Sequence, residues 1–326
     1  MDEKLLEILN QFDIDVKNTY RSRGGTICVT TCGTMILKEF CSSAGKLMDE
    51  YELKKHLREE GFSLIDQHIK NKQGTFFAQD RYHTIYILKE FYEGKECDIR
   101  SLLDVKMAGR NLALFHKVVK RLPMSERAKK QYIPFDVLLE KRTRELKRAK
   151  AYMESLVKKG EFEYLYIKSF QEFYEQAKEG ISIYENIGIE SQERNVSICH
   201  GEYNQHNMIK TENGIATINF ENFCYQNQLL DLHHFFRKTM EKNNYKQEFA
   251  QKILTGYSDI HPLDRQDYQF LYLLLLYPDK YYKIANHYNS RRKAFISPKD
   301  MEKLVDTIEQ NKQKEQFLIW YQNQYL

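Results

Sequence analysis

The chain of 326 residues has few of the residues that mark several protein classes. It has five prolines and one tryptophan, and no Gly/Ser-rich or low-complexity segment divides it. No apolar run approaches the ~20 residues that a membrane-spanning helix requires. The longest candidate, Phe270–Tyr277, is followed directly by Pro278, so we interpret it as a buried helix. We therefore expect a globular protein that does not associate with a membrane.

The N-terminal segment MDEKLLEILNQF is acidic and amphipathic. It has no basic region followed by an apolar core, which a secretory signal peptide would need. We interpret this segment as a short leading helix.

The six cysteines are scattered and never show the paired CxxC spacing of a zinc site. We expect free thiols in a reducing cytosol. Cys28 and Cys32 fall on neighbouring strands of a predicted hairpin, so a disulfide between them is the alternative.

Charge gives little indication of nucleic-acid binding. The net charge is +4, and no RNA- or DNA-reading motif is present. Basic residues do cluster on one predicted helix between positions 141 and 159, which is more typical of a solvated helix face. Nucleic-acid binding through that helix remains the alternative, and we expect none. The cluster consists of Lys141, Arg142, Arg144, Lys147, Arg148, Lys150, Lys158 and Lys159.

Strand-like segments predominate before residue 95. Apolar and β-branched residues there are separated by turns such as Gly24-Gly25 and Cys32-Gly33. One helix interrupts them over about Ala44–Glu59, because its apolar residues recur near helical spacing before Gly61. The predicted strands are Thr26–Thr30, Met35–Phe40, Leu64–Ile69, Thr75–Gln79 and Thr84–Glu90.

Helical periodicity predominates after Asp98, with one β-hairpin inserted. We predict an α+β protein with the bilobal plan of protein kinase-like folds. Residues 1–94 would form a nucleotide-covering lobe with a small antiparallel sheet and one helix, and residues 95–326 a large, mainly helical lobe that carries the hairpin. The predicted helices are Ser101–Leu122, Pro134–Lys158, Glu161–Tyr184, Leu229–Lys242, Lys246–Asp259, Leu263–Leu276, Lys280–His287 and Pro298–Tyr321.

The segment from His200 to Asp231 carries the strongest functional signal. It follows a predicted strand, Val196–Cys199, and contains a hairpin that turns at Asn213-Gly214. A helix opens near Leu229. Loops that flank such a hairpin are where a phosphotransferase gathers a base and metal ligands.

Four polar side chains flank this hairpin. We predict that Glu202 accepts or orients a substrate hydroxyl proton and that Asn207 binds a magnesium ion. Asn219 stands where a carboxylate would bridge the metal to the β- and γ-phosphates, and Glu221 could supply the missing charge. The alternative is a polar hairpin that contains these residues without using them. His200 and Asp231 are predicted to be scaffold residues.

Lys38 lies on an apolar strand from which it could reach nucleotide phosphates. A carboxylate of the following helix would hold it, with Glu50 as the first candidate and Glu52 as the second. The alternative is an exposed strand lysine and a solvated helix glutamate. Glu90 and Phe91 end the strand IYILKEF, where a lobe-connecting segment would offer backbone groups to an adenine; the alternative is an ordinary edge strand.

The motif residues resemble a known superfamily. His200-Gly201-Glu202 with Asn207, then Asn219-Phe220-Glu221 and Asp231-Leu232, is similar to the HGDxxxxN…DFD…DL signature of aminoglycoside phosphotransferase and choline kinase-like proteins. More closely, HGEYNQHN, DLHHFFRK and the run from Tyr277 to Tyr288 resemble CotS-type spore coat proteins. The resemblance covers residues 15 to 320.

This resemblance implies a bilobal kinase-like fold with an ATP cleft between its lobes. It also implies synthesis in the cytoplasm of a sporulating cell, residence in the spore coat, and other coat proteins as partners. Related proteins phosphorylate small hydroxyl or amine compounds, so a small-molecule substrate is the alternative.

Two residues depart from the superfamily pattern. Glu202 replaces the catalytic aspartate, and its longer side chain would displace the carboxylate by ~1.5 Å, which can cost about a hundredfold in rate. Asn219 replaces the metal-binding aspartate and removes a charge whose interaction is worth ~4 kcal/mol at 4 Å and an effective dielectric near 20. We therefore predict weakened binding of ATP and Mg²⁺ and poor phosphoryl transfer.

Overall fold

A computed structural model describes residues 3–22, 24–122, 130, 132–187, 194–290 and 296–326. The chain forms two compact units. The first comprises Met1–Asp98, Lys117–Arg121 and His200–Phe223, and the second comprises Ile99–His116, Leu122–Cys199 and Cys224–Leu326. The predicted kinase-like α+β fold is confirmed, since a small antiparallel sheet is followed by a mostly helical part.

An antiparallel sheet of five strands forms the centre of the first unit, in the order β1-β2-β3-β5-β4. Its strands are β1 (Val16–Ser22), β2 (Gly25–Thr30), β3 (Gly33–Glu39), β4 (Ala78–Gln79) and β5 (Ile85–Glu90). Ile27, Cys28, Leu37, Ile87 and Leu88 are buried in it. Strand β1 was not predicted because its sequence, VKNTYRS, is polar and mostly exposed; only pairing with β2 makes it a strand.

Two helices, α1 (Glu3–Leu9) and α2 (Ala44–Glu59), belong to the first unit. Helix α2 has the predicted bounds. The Ser43 side chain caps its start by accepting from the Lys46 amide, and Gly61 follows its end with φ of +86°.

The predicted hairpin consists of β8 (Met208–Thr211) and β9 (Gly214–Thr217), which pair with a short strand, β6 (Lys95–Glu96). The hairpin packs within the first unit, where Thr217 forms a parallel bridge to Ile65 and its amide donates to the Leu64 carbonyl over 2.9 Å. A boundary between residues 94 and 95 stays a prediction.

Nine of the eleven α-helices in the described residues lie mainly in the second unit. Two further strands, β7 (Val196–Cys199) and β10 (Cys224–Asn227), pair antiparallel there. The helices are α3 (Leu102–Val119), α4 (Phe135–Ser155), α5 (Glu161–Asn186), α6 (Leu229–Lys242), α7 (Gln247–Ser258), α8 (Arg265–Leu276), α9 (Asp279–Ser290), α10 (Pro298–Glu309) and α11 (Asn311–Tyr325).

Three predicted elements are wrong in extent. Of the predicted strand Thr75–Gln79, only Ala78–Gln79 forms a strand. Leu64–Ile69 forms only isolated bridges, through Ile65 and His68, because its backbone crosses between the sheet and the hairpin. The predicted helix Pro298–Tyr321 is two helices, since α10 ends at Glu309 and α11 begins at Asn311, with Gln310 between them. Periodicity persists across that break, so the sequence pattern does not reveal it.

Aromatic side chains fill much of the helical core. Tyr281 stacks on Tyr166 and Phe173 with ring centroids 4.6 and 4.2 Å away, and Tyr277 and Tyr288 are also buried. The tyrosine-rich segment, residues 277–288, therefore mainly packs in the helical core. All six cysteines are free thiols, and the described helices include none that is long and apolar enough to span a bilayer.

Candidate phosphotransferase-like site

The loop after β7 is closed by His200. Its Nε2 donates to the Ile218 carbonyl over 3.0 Å, and its Nδ1 accepts from the Glu202 amide over 3.2 Å. These contacts agree with the predicted scaffold role of His200. Asn204 then caps the short 3₁₀ turn Gln205–Asn207 by accepting from the His206 amide over 3.0 Å.

Gly201 is required by close packing of this loop. Its φ is +79°, and a Cβ atom there would lie 2.0 Å from the carbonyl oxygen of Asn222. A side chain would therefore clash with backbone and occupy an unfavourable conformation. The two loops that carry the candidate site residues are held together at this point.

Asn219 adopts a left-handed conformation, with φ of 63° and ψ of 60°. Asparagine tolerates this region better than most residues. Its amide donates to Asp66 Oδ2 over 3.2 Å, and its side-chain Nδ2 donates to Asn207 Oδ1 over 2.9 Å. The structure therefore brings together Asn207 and Asn219, as the sequence predicts.

Lys38 reaches this loop from strand β3. Its Nζ lies 3.0 Å from Asn219 Oδ1 and 2.7 Å from Glu221 Oε1. The same Glu221 oxygen lies 2.8 Å from the Nζ of Lys89, which is fully buried. Glu221 therefore bridges two ammonium groups.

The predicted pairing of Lys38 with Glu50 is wrong. Glu50 is buried, but its Oε1 lies 2.6 Å from the Nζ of Lys54, one helical turn away on α2. Lys54 also lies 2.9 Å from Asp66, which in turn lies 2.8 Å from Lys89. Glu50 forms an ion pair with a nearer cation on its own helix, and Lys38 pairs with Glu221.

The result is a network of three lysines and three carboxylates in the first unit. We call this group the lysine–carboxylate cluster; it consists of Lys38, Lys54, Lys89, Glu50, Asp66 and Glu221. Its formal charges cancel. The Nζ of Lys54 also lies 5.5 Å from the centre of the Phe220 ring.

Electrostatics within the cluster favour charged side chains. Burial opposes ionisation of Glu221, but the charges of Lys89 and Lys38 lower its pKa to about 2. Asp66 behaves similarly: burial opposes its ionisation, and Lys54 and Lys89 hold its pKa well below the ordinary value. Burial and the same two lysines lower the pKa of neighbouring His68 to about 2, so this imidazole is neutral.

The Glu202 carboxylate is held by the side-chain amide of Asn222. Its Oε2 accepts from Asn222 Nδ2 over 2.9 Å, and its backbone carbonyl accepts from Asn207 Nδ2 over 2.9 Å. The side chain is half-buried. Its predicted role as a catalytic carboxylate stays a prediction, as does that of Asn207.

Both backbone N–H groups at the predicted adenine-binding segment are already bonded. The Glu90 amide donates to the Gln67 carbonyl over 2.9 Å, and the Phe91 amide donates to the Thr34 carbonyl over 3.0 Å. A role for Glu90 and Phe91 in binding adenine stays a prediction, and in this conformation it would depend on groups other than these donors.

The predicted metal ligands do not fit a divalent ion as they are arranged. The oxygen of Asn207 accepts from an amide, that of Asn219 accepts from Lys38, and Glu221 bridges two lysines. Magnesium needs oxygen atoms facing it in near-octahedral geometry. Over the described residues, no group of three or more His, Cys, Asp or Glu side chains could hold a metal.

Asp231 lies in the second unit, in the first turn of α6. It is buried, with Oδ2 3.4 Å from His116 Nε2, while His116 Nδ1 lies 2.8 Å from the Tyr257 hydroxyl. Burial lowers the pKa of His116, although Asp231 acts in the opposite direction. These contacts support a structural role for Asp231.

Sequence reasoning missed Lys54, Asp66 and Lys89. Lys89 interrupts an apolar strand, and Lys54 follows Glu50 by four residues, so both positions carried a signal. Asp66 gave none, because it lies on an irregular segment whose position depends on tertiary pairing.

The sequence matches the family model described as "Spore coat putative kinase YutH" over residues 6–321. No curated protein sequence matches it significantly. The resemblance of the motifs to spore coat proteins of this superfamily is thereby confirmed.

Solved structures show the same fold. An aminoglycoside phosphotransferase from Alicyclobacillus acidocaldarius subsp. acidocaldarius DSM 446 aligns with a TM-score of 0.84 at 17% identity, covering 98% of this chain and 95% of that chain. A spectinomycin phosphotransferase in complex with ADP and spectinomycin gives 0.68 at 15%, covering 97% and 99%. An amicoumacin kinase in complex with AMP-PNP, Ca²⁺ and Ami gives 0.60 at 13%, covering 97% and 94%.

Proposed function

Because the chain belongs to the YutH spore coat kinase family, we propose that it is a coat protein with an altered phosphotransferase site. In this proposal the site has weak or no activity, and the protein acts in assembly or structure of the coat. It is made in the cytoplasm of the sporulating cell and then joins other coat proteins.

One observation carries the altered-site proposal: the Lys38 ammonium lies between Asn219 Oδ1 and Glu221 Oε1. Two oxygens that could ligate a metal thus face a cation that is part of the protein. A divalent ion at this place would have to displace Lys38 or lie beside it. Either arrangement brings like charges together.

The lysine–carboxylate cluster is electrically neutral, and this neutrality determines how weakly the site attracts a metal ion. A carboxylate in place of Asn219 would leave a negative charge to attract the metal, and that interaction is worth ~4 kcal/mol at 4 Å and an effective dielectric near 20. With asparagine, the three carboxylates are already balanced by three lysines. Binding of Mg²⁺ with ATP is therefore weak in this proposal.

The alternative is an ATP-dependent phosphotransferase acting on a small hydroxyl or amine compound. Two observations favour it. Lys38 on β3 and Asn207 both contact the Asn219 side chain, and proteins of the same fold include an aminopropanol kinase and structures holding ADP or AMP-PNP with Ca²⁺. In that case Glu221 would release Lys38 when nucleotide binds.

The test is ATP binding and turnover with and without Mg²⁺ or Mn²⁺. We compare the native protein with the double variant Glu202→Asp, Asn219→Asp, and monitor the thermal midpoint, calorimetric binding and ADP release. We expect no metal-dependent ATP binding by the native protein and measurable binding by the double variant, because the added carboxylate leaves a net charge of −1.

A matched control is Asn213→Asp, which adds the same charge at an exposed position of the hairpin turn. It should leave ATP binding unchanged. Turnover by the native protein that Glu202→Ala abolishes would overturn the proposal and establish the alternative.

A further inference from the structure

A cavity lies wholly within the second unit, away from the residues described above. Its volume is about 30 Å³, twice what one water molecule requires. The tyrosine-rich segment that begins at Tyr277 forms one wall, and Tyr245 and Phe173 contribute further aromatic surface. The cavity could therefore hold a group of a few non-hydrogen atoms.

The lining of this cavity carries an excess of positive charge. Arg237, Lys280 and Lys314 face it together with two carboxylates, Glu241 and Asp279. Both carboxylates are already paired. Glu241 lies 2.5 Å from Arg237, and Asp279 contacts Arg237 and, outside the cavity lining, Arg142 and Lys283.

Lys314 places a buried ammonium group in the wall of the cavity. It is 91% buried, and its Nζ donates to two uncharged acceptors, Gln176 Oε1 at 3.2 Å and the Leu276 carbonyl at 2.8 Å. Among the residues that the structure describes, it forms no ion pair. An ammonium has three N–H donors, so one remains for a ligand. Burial lowers the pKa of Lys314 to about 8, and it outweighs the opposing attraction of the Glu241, Glu315 and Asp279 carboxylates.

A second polar group is also incompletely satisfied. The Nε of Arg237 is buried and has no hydrogen-bond partner in the described residues, although Asp279 Oδ2 lies 3.3 Å away. Buried donors of this kind are usually satisfied by protein, water or ligand.

Two helices begin at the same cavity. Asp279 opens α9 and Asn311 opens α11, and both residues contribute to the lining. The N–H groups of a first helical turn have no intrahelical acceptor and carry partial positive charge. Both helix starts therefore add to the positive potential at the cavity.

We propose that this cavity binds a small oxyanion of the size of inorganic phosphate, with Lys314 as its principal cationic ligand and Arg237 and Lys280 beside it. The anion accepts the remaining Lys314 donor and balances the excess charge of the lining. The site is independent of the lysine–carboxylate cluster, which lies in the other unit.

The test measures binding of inorganic phosphate by calorimetry and ³¹P line broadening, at constant ionic strength maintained with chloride. We expect the native protein to bind phosphate and Lys314→Met to bind it about tenfold more weakly, or not at all, because a charge-assisted hydrogen bond is lost. Lys314→Arg should retain part of the affinity.

Two control variants and one further test variant make the result specific. Lys312→Met removes an exposed lysine from the same helix and should bind like the native protein. Lys38→Met should also bind normally, which excludes the other unit as the source of the signal. Lys280→Met, at a half-buried position, gives a second weakened variant if Lys314→Met does not fold.

Absence of phosphate binding by the native protein would overturn the proposal. Equal binding by the native protein, Lys314→Met and Lys280→Met would also overturn it, because the anion would then lie elsewhere.

Discussion

At the scale of single residues, the central feature is one carboxylate shared by two lysines. Glu221 contacts Lys38 and Lys89, and both contacts are shorter than 3 Å. Lys89 is fully buried, so removing a partner leaves a cation with little access to water. Removing one partner of a buried ion pair therefore costs more than removing one partner of an exposed pair.

Replacing Glu221 with glutamine should therefore destabilise the protein. We expect a loss of about 2 kcal/mol in the free energy of unfolding at pH 7, because two charge-assisted hydrogen bonds are weakened. Urea titration would measure it. Glu212→Gln, at an exposed position of the hairpin, should change stability little.

The difference in stability between the native protein and Glu221→Gln should also depend on pH, and the pKa of Glu221 determines the direction of this dependence. The folded state lowers the pKa of Glu221 to about 2 from an ordinary value of 4.5. The stabilisation is thus complete above the unfolded pKa and is lost as pH falls from 4.5 towards 2. At pH 3 the gap between the native protein and Glu221→Gln should be less than half its value at pH 7. A gap that is constant or wider at pH 3 would contradict the assigned role.

At the scale of elements, the candidate site depends on two loops held in contact. Gly201 and Asn222 approach so closely that no side chain fits at position 201. The residues that follow, Glu202 and Asn207, owe their positions to this contact and to the His200 hydrogen bonds.

Gly201→Ala should consequently be much more destabilising than a glycine replacement in open space. Gly74→Ala is the matched control, because Gly74 also has a positive φ but no atom lies within 4 Å of the added carbon. We expect a cost of about 1 kcal/mol for Gly74→Ala and at least about 3 kcal/mol for Gly201→Ala. Chemical denaturation compares them, and equal costs would show that the close contact relaxes freely.

At the scale of the whole molecule, the first unit contains a neutral charge cluster and the second a cavity with excess positive charge. The balance in the first unit requires no additional cation. Because the cluster is already neutral, we expect metal ions to change the stability of the folded protein little.

Removal of divalent metal should accordingly leave stability unchanged. We expect the thermal midpoint to move by less than about 1 °C on adding a chelator or about 10 mM Mg²⁺, because a ligand stabilises only in proportion to its occupancy. Asn219→Asp should gain a measurable upward shift with Mg²⁺. A large Mg²⁺ shift in the native protein would indicate an occupied metal site.

Much of the fold and part of the site were predictable from local sequence. Helix α2, helix α6 and strand β7 have the predicted bounds, because their apolar spacing and flanking residues agree. The juxtaposition of Asn207 and Asn219 followed from the hairpin. The partner of Lys38 was predicted incorrectly, since the choice between Glu50 and Glu221 depends on distances across several elements.

The sequence by itself determined the kinase-like order of elements, the motif residues and the family, because all three depend on residue types at short, ordered spacing. Only the tertiary structure decided how the charges pair and where a buried lysine donates to uncharged acceptors instead of a carboxylate. Coulomb energy and desolvation depend on separation in space, and residues as distant in the chain as Lys38 and Glu221 acquire that separation only on folding.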